Sequence, residues 1–271
     1  MKILIAADME GVTGVVHWDQ VSSRHSEYER FRRLMTQDVN AAIRGAYAGG
    51  ASELLVTDGH GAGRNILIEE LDERARLNSG TPAPYSMVQG IDSGVNAVMF
   101  IGYHARVGTP HAILEHTWSE TSVANLFLQG EPCGEIGLNA ALCDFFNVPV
   151  ILISGDQAAC SEAAELIPGI ETAVVKRASG RMAAELLTPA LAHEKIAEKA
   201  AAAVRKLTSG AAPQPHRLAP PIHMEIEFVH SEMADRAALL PGATRSGRRI
   251  AYTANDMAAV YSAFRAAVNL A

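Results

Sequence analysis

Three cysteines in 271 residues, Cys133, Cys143 and Cys160, are odd in number and form no Cys-x-x-Cys pair. That scarcity argues against a disulfide framework and against a thiolate zinc site, and it makes a reducing cytoplasm the expected setting. Long apolar runs are missing as well. No stretch approaches the ~18 uninterrupted apolar residues of a membrane-spanning helix. Residues 1–7 are apolar but run straight into Asp8, too short for a signal-peptide core with its cleavage site, so a soluble, unsecreted protein is expected. Clustered positive charge is also absent, since 23 Lys and Arg face 30 Asp and Glu and leave a formal net charge of -7. The densest basic group, Arg245, Arg248 and Arg249, is short and reads as a solvated strand edge. A nucleic-acid partner, whose phosphates demand grouped cations, is therefore not expected. No internal repeat or low-complexity tract occurs.

What the chain does have is 48% hydrophobic residues, enough for a substantial core. The apolar pattern alternates between short runs and longer helical stretches. Strands are expected at 2–7, 53–57, 97–102, 148–153 and 172–175. Helices are expected at 27–47, 68–76, 136–146, 158–166 and 191–207. The first helix carries a capping-box pattern, Ser26 with Glu29, and is ended by Gly49-Gly50. Strands separated by helices imply crossover connections, hence an α/β fold with a mostly parallel, doubly wound sheet. Residues 1–208 would form this α/β portion. Residues 209–221, with Gly210 and four prolines, read as a linker. Residues 222–271 would then form a smaller α+β C-terminal portion, with strands at 223–229 and 249–253 and a helix at 256–270.

In an open parallel sheet, ligands bind beyond the carboxyl ends of the strands. Three such ends carry metal-capable side chains: Asp8-Met9-Glu10-Gly11, Asp58-Gly59-His60-Gly61 and Tyr103-His104-Ala105-Arg106. Taken singly, each acid reads equally as a turn or cap residue, and each histidine as a hydrogen-bonded loop residue. Together they converge on one sheet edge. Oxygen and imidazole donors without cysteine suit zinc, manganese or cobalt. Asp8 and Glu10, two apart, point the same way while the strand conformation persists. Gly11, Gly59 and Gly61 would let the backbone bend around such a cluster.

These residues, with Gly134-Glu135-Ile136-Gly137-Leu138-Asn139-Ala140, resemble the zinc-dependent D-aminopeptidases of the DppA type. The likeness continues through Met87-Val88-Gln89-Gly90, Ser154-Gly155-Asp156 and Glu165-Leu166-Ile167-Pro168, so it spans nearly the whole chain. The resemblance implies two zinc ions per chain, with Asp8 bridging both. Glu10 and His60 would complete one site, His104 and Glu135 the other. It also implies a catalytic histidine in the loop after the third strand. His116 is the match, at an interval from His104 one residue longer than in the family pattern. His111 shares that loop and reads by itself as a surface residue.

A ring-shaped homo-oligomer, a homodecamer in the family, and short peptides bearing an N-terminal D-residue such as D-Ala are implied too. Asp58, Asp156 and Lys176 are candidates for supporting the ligands or positioning substrate. Cys133, close to Glu135, is a poor catalytic candidate where hydrolysis can be metal-driven. Two other functions use the same residues. A metal-dependent phosphoesterase would employ the same donors, although Gly59-x-Gly61-x-Gly63 lacks the lysine of a phosphate loop. A non-enzymatic metal- or peptide-binding module would keep the ligands without a working base.

Overall fold

The computed structural model describes residues 1–215 and 218–271. In chain order the elements are β1 (Lys2–Ala7), α1 (Tyr28–Gly49), β2 (Glu53–Asp58), β3 (Ala75–Asn78), β4 (Ala97–Tyr103), β5 (Val123–Leu128), β6 (Glu131–Pro132), α2 (Glu135–Phe145) and β7 (Val150–Asp156). They continue with α3 (Gln157–Leu166), β8 (Glu171–Gly180), β9 (Ala183–Leu186), α4 (Pro189–Thr208), β10 (Ile222–Phe228), α5 (Ser231–Ala237), β11 (Thr244–Ser246), β12 (Arg249–Ala254) and α6 (Met257–Leu270). One sheet runs β3-β2-β1-β4-β7-β8-β9 and is parallel except for the β8–β9 hairpin. The second, β11-β12-β10-β5-β6, is antiparallel.

Alternation along the central strands explains the layering. Ile3, Ile5 and Ala7 of β1 pack with α1 and α4, whereas Leu4 and Ala6 face the opposite core with α2, α3 and α6. With helices on both faces, these strands are apolar throughout rather than alternating with polar residues. The protein is thus an α/β molecule with a mostly parallel, doubly wound sheet. Strand order reverses direction between β1 and β4, the switch point beyond which a crevice opens in such sheets.

Two glycines let the chain cross at that point. A Cβ at Gly11 would lie 1.9 Å from the Tyr103 carbonyl oxygen, and one at Gly102 (φ +76°) would lie 2.4 Å from that of Asp8. The Gly11 amide instead donates to Gly102 at 2.8 Å. The segment after β1 is thereby drawn against the end of β4.

Besides the short elements β5, β6, β9, β11 and α5, which the sequence pattern did not announce, the structure departs from that pattern in four places. Residues 68–76 form turns leading into edge strand β3 and no helix. Side chains of α1 satisfy this segment instead: Asn40 bonds Glu70 O and the Asp72 amide, and Tyr47 bonds Arg74 O. Helix α1 begins at Tyr28 without a side-chain cap, so Ser26 and Glu29 form no capping box. Strand β7 runs on through Ser154, Gly155 and Asp156, past the expected end at 153, and β8 runs to Gly180 rather than 175. Finally, β5 of the first portion pairs with β10 of the last, so the second sheet joins residues from both sides of the 209–221 segment. Positions 216 and 217 of that segment lie outside the described residues.

Candidate metal centre

Asp8 and Glu10 follow β1, His60 follows β2, His104 follows β4, and Glu135 opens α2. All five reach one place. His60 Nδ1 lies 3.3 Å from Asp8 Oδ1 and 3.2 Å from Glu10 Oε2. His104 Nε2 lies 3.4 Å from Asp8 Oδ2 and 3.1 Å from Glu135 Oε1. Two donors at ~2.0–2.1 Å on a tetrahedral zinc stand roughly 3.3 Å apart, so each of these separations fits the edge of a coordination tetrahedron. Asp8 turns one oxygen to each histidine. By these shortest approaches the donors pair off on either side of Asp8, and the donor atoms of Asp8, Glu10 and His104 also lie within 4.8 Å of one another.

Hydrogen bonds made by the far ring nitrogens fix the tautomers. His60 Nε2 lies 2.9 Å from the Val21 carbonyl and His104 Nδ1 lies 3.0 Å from that of Ala105. A carbonyl only accepts, so each of these nitrogens carries a proton and the neutral ring aims a lone pair into the cluster. Carboxylate oxygens and bare lone pairs repel one another unless a cation or protons lie between them. Without metal the balance is met by protons. Burial would depress both imidazoles, but Glu10 raises His60 well above its ordinary range, and Glu135 does the same for His104.

Burial would likewise raise Glu10 and Glu135, yet His60 holds the first well below the usual carboxylate range and His104 lowers the second. Asp8 is pushed up to about 7 by burial and by Glu10. Asp8 Oδ2, Glu10 Oε2 and His104 Nε2 are buried and make no hydrogen bond, a costly state for polar atoms. A cation among them removes that cost. The residues present fit a pair of divalent ions.

His116 borders the same cluster. Its ring stacks on His104 with centroids 4.1 Å apart, and its Nε2 lies 3.7 Å from Glu135 Oε1. Nδ1 donates to Leu114 O at 2.9 Å, leaving Nε2 as the reactive nitrogen. Burial and the neighbouring His104 lower its pKa. The donors of His104, His116 and Glu135 all lie within 4.8 Å, so His116 is within reach of the same ion as well as of a substrate. His111 is exposed and contacts Ser179 O at 3.3 Å, away from the cluster. The structure thus brings His116, and not His111, to the other five.

The three supporting candidates do not line the cavity that opens over the cluster. Asp58 accepts from the Asn65 amide (2.6 Å), the Ile66 amide (2.7 Å) and Asn65 Nδ2 (2.7 Å), holding the loop that carries His60. Asp156 caps α3 through Ala159 N and accepts from Ile113 N at 2.6 Å, pinning the loop of His116. Lys176, 1% exposed, donates to the carbonyls of Glu10, Val12 and Val15 at 2.6, 3.0 and 2.7 Å. Burial pushes this ammonium down to about 7 against the pull of Asp156. Lys176→Met should strand three carbonyls and lower stability by about 3 kcal/mol, read from urea denaturation. An unchanged midpoint would show that the lysine does not fasten residues 10–15.

Cys133 is buried and donates to Gly134 O, and burial pushes its thiol far up, which disfavours a nucleophilic thiolate. Glu135 could be found in the sequence only through the family likeness, because a glutamate in a first helical turn ordinarily complements the helix dipole. Here it is 5% exposed and directed at His104. Arg265 and Asn269 of α6 also line the cavity and escaped sequence reasoning altogether.

A doubly wound α/β protein with a buried carboxylate–histidine cluster at its switch point has the fold and the donors of a metal-binding site. A family model described as D-aminopeptidase, peptidase family M55, matches residues 1–266. A D-aminopeptidase of Bacillus subtilis (strain 168) is 36% identical over 275 residues, covering 100% of this chain and 98% of that protein. The solved structure of the Zn-dependent D-aminopeptidase DppA from Bacillus subtilis, a self-compartmentalizing protease, is similar with a TM-score of 0.95 and 35% identity. That likeness covers 100% of this chain and 97% of the other. The chain belongs to the D-aminopeptidase family, a family of peptide hydrolases. None of the described helices is long and apolar enough to cross a membrane.

Proposed function

We propose that this protein is a zinc-dependent aminopeptidase that removes an N-terminal D-residue, D-Ala first among them, from short peptides. Asp8, Glu10 and His60 would hold one zinc, and Asp8, His104 and Glu135 the second. The observation that carries this is that Asp8 turns Oδ1 to His60 and Oδ2 to His104, with Glu10 beside the first histidine and Glu135 beside the second. When bound, the ions supply a hydroxide nucleophile near neutral pH and polarise the scissile carbonyl.

The chain's own residues do the rest. His116, with Nδ1 tied to Leu114 O, presents Nε2 as the group that takes a proton from the nucleophile and returns it to the leaving amine. Asp156 and Glu162 hold its loop and the loop after β4 in place, through Ile113 N and Arg106 N. Trp18 meets the His116 ring edge-on at 5.4 Å and limits its rotation. A cytoplasmic setting accords with three free, buried cysteines. A ring-shaped homodecamer enclosing the sites would confine substrates to small peptides, in keeping with the self-compartmentalizing relative.

Kinetics on D-Ala-D-Ala, L-Ala-L-Ala and an amino-blocked D-dipeptide test this reading at fixed zinc. The D-dipeptide should be hydrolysed at least about 10-fold more efficiently than its enantiomer, a ratio within reach of pocket shape. The blocked analogue should be inert. Its cleavage at a comparable rate would overturn the aminopeptidase assignment.

A further inference from the structure

The cavity above the cluster has a volume of about 300 Å³, and its walls are chemically unequal. One side carries Asp8, Glu10 and Glu135 with His60 and His116, all from strand ends, their loops and the start of α2. Another is formed by α6, which contributes Arg265 and Asn269, four residues apart and so on one helical face. Arg265 is the only Lys or Arg among the lining residues. It is half-buried. Its Nη1 donates to Ala83 O and to Pro84 O (2.8 Å), while Nε and Nη2 make no hydrogen bond among the described residues.

The two carbonyl bonds hold the guanidinium in place from one side. Three of its five N–H groups are left without partners among the described residues. A fixed guanidinium with unspent donors, in a cavity otherwise rich in carboxylates, is suited to a planar anion. We propose that Arg265 is a specificity-determining residue that binds the free C-terminal carboxylate of a short peptide whose amino end lies at the acidic cluster. The inference rests on the peptidase reading above and adds to it a rule for substrate length. A dipeptide with its free amine at the metal centre presents its carboxylate to Arg265, whereas a longer chain puts an uncharged amide where the carboxylate would sit. Asn269, exposed at the rim on the same face, can donate to the same oxygens.

Because a carboxylate bound this way is held equally in the ground and transition states, its loss should raise KM and leave kcat nearly unchanged. The test compares D-Ala-D-Ala with D-Ala-D-Ala amide on the zinc-loaded wild type and on Arg265→Met. Wild type should favour the acid over the amide by about 30-fold in kcat/KM, as expected of one charge-assisted pair. Arg265→Met should bring that ratio close to one by raising KM for the acid alone.

Equal losses on both substrates would mean that Arg265 only clamps the 83–84 backbone, and would overturn the proposal. So would a wild type indifferent to the terminal charge. Calorimetric binding of both compounds to zinc-loaded His116→Ala, with and without Arg265→Met, separates this claim from the catalytic one. Acid-selective binding that depends on Arg265 but leads to no cleavage in wild type would sink the peptidase reading and sustain the carboxylate site. Cleavage without acid-selective binding does the reverse, and no binding of either compound removes both.

Discussion

Asp8→Ala is expected to abolish hydrolysis and to empty the metal centre, with zinc falling from about two ions per chain to nearly none. Each of its oxygens faces a different histidine, Oδ1 towards His60 and Oδ2 towards His104. One substitution therefore takes a ligand from both donor sets. His60→Ala and His104→Ala each take a ligand from one set and should lose mainly one ion. Metal analysis of the three purified variants reads this directly, and a melting curve on each separates metal loss from unfolding. Prolonged chelation of the wild type should reproduce the Asp8→Ala phenotype, and zinc should reverse it. In the metal-free protein Asp8 titrates at about 7, so protons compete with zinc below that pH and dialysis should strip metal faster as the pH falls. Full activity in a verified metal-free sample would end the zinc mechanism, and retention of one tightly held ion by Asp8→Ala would end the bridging role.

The strand ends were readable because a buried parallel strand announces itself as an apolar run, and the first polar residues after it mark the sheet edge. Asp8, Glu10, His60 and His104 sit on such edges. Nothing local marks Glu135, whose importance comes from α2 aiming its first residue at His104. Arg265 was harder still, because it lies far along the chain from every ligand and enters the cavity only through the packing of α6.

The second sheet illustrates the same limit. The pairing of β5 with β10 joins Met224 to Leu128 and Ile226 to Leu126, across about a hundred residues that no short-range pattern spans. A chain cut at proline-rich 209–221 therefore suggests two units where hydrogen bonds make one sheet. Residues 68–76 show the converse. Their apolar spacing suits a helix, but a nine-residue helix is costly to nucleate, and bonds from Asn40 and Tyr47 stabilise turns instead.

His116→Ala should keep its fold and its two zinc ions while kcat falls by about 10²-fold or more, the effect of deleting a positioned acid or base. The geometry makes both this role and a ligand role physically available, since the His116 donor lies within 4.8 Å of those of His104 and Glu135. The two are separable. A ligand would share its Nε2 lone pair with an ion, and its removal would lower zinc content before it lowered turnover. An acid or base must keep that nitrogen free, and its removal leaves the metal untouched. Under the proposed assignment, Nε2 stands 3.7 Å from Glu135 Oε1, against 3.1–3.4 Å for the four histidine–carboxylate pairs, a spacing in keeping with the second role.

Burial and the adjacent His104 lower the His116 pKa, so the neutral form able to accept a proton prevails at neutral pH. The acid limb of kcat should report its protonation and vanish in the variant. His111→Ala is the control: its side chain is exposed and reaches only Ser179 O, so it should change kcat less than about twofold, as surface substitutions away from a site generally do. Loss of about one zinc ion from His116→Ala would transfer this histidine to the ligand set. A large defect in His111→Ala with an active His116→Ala would exchange the two loop residues.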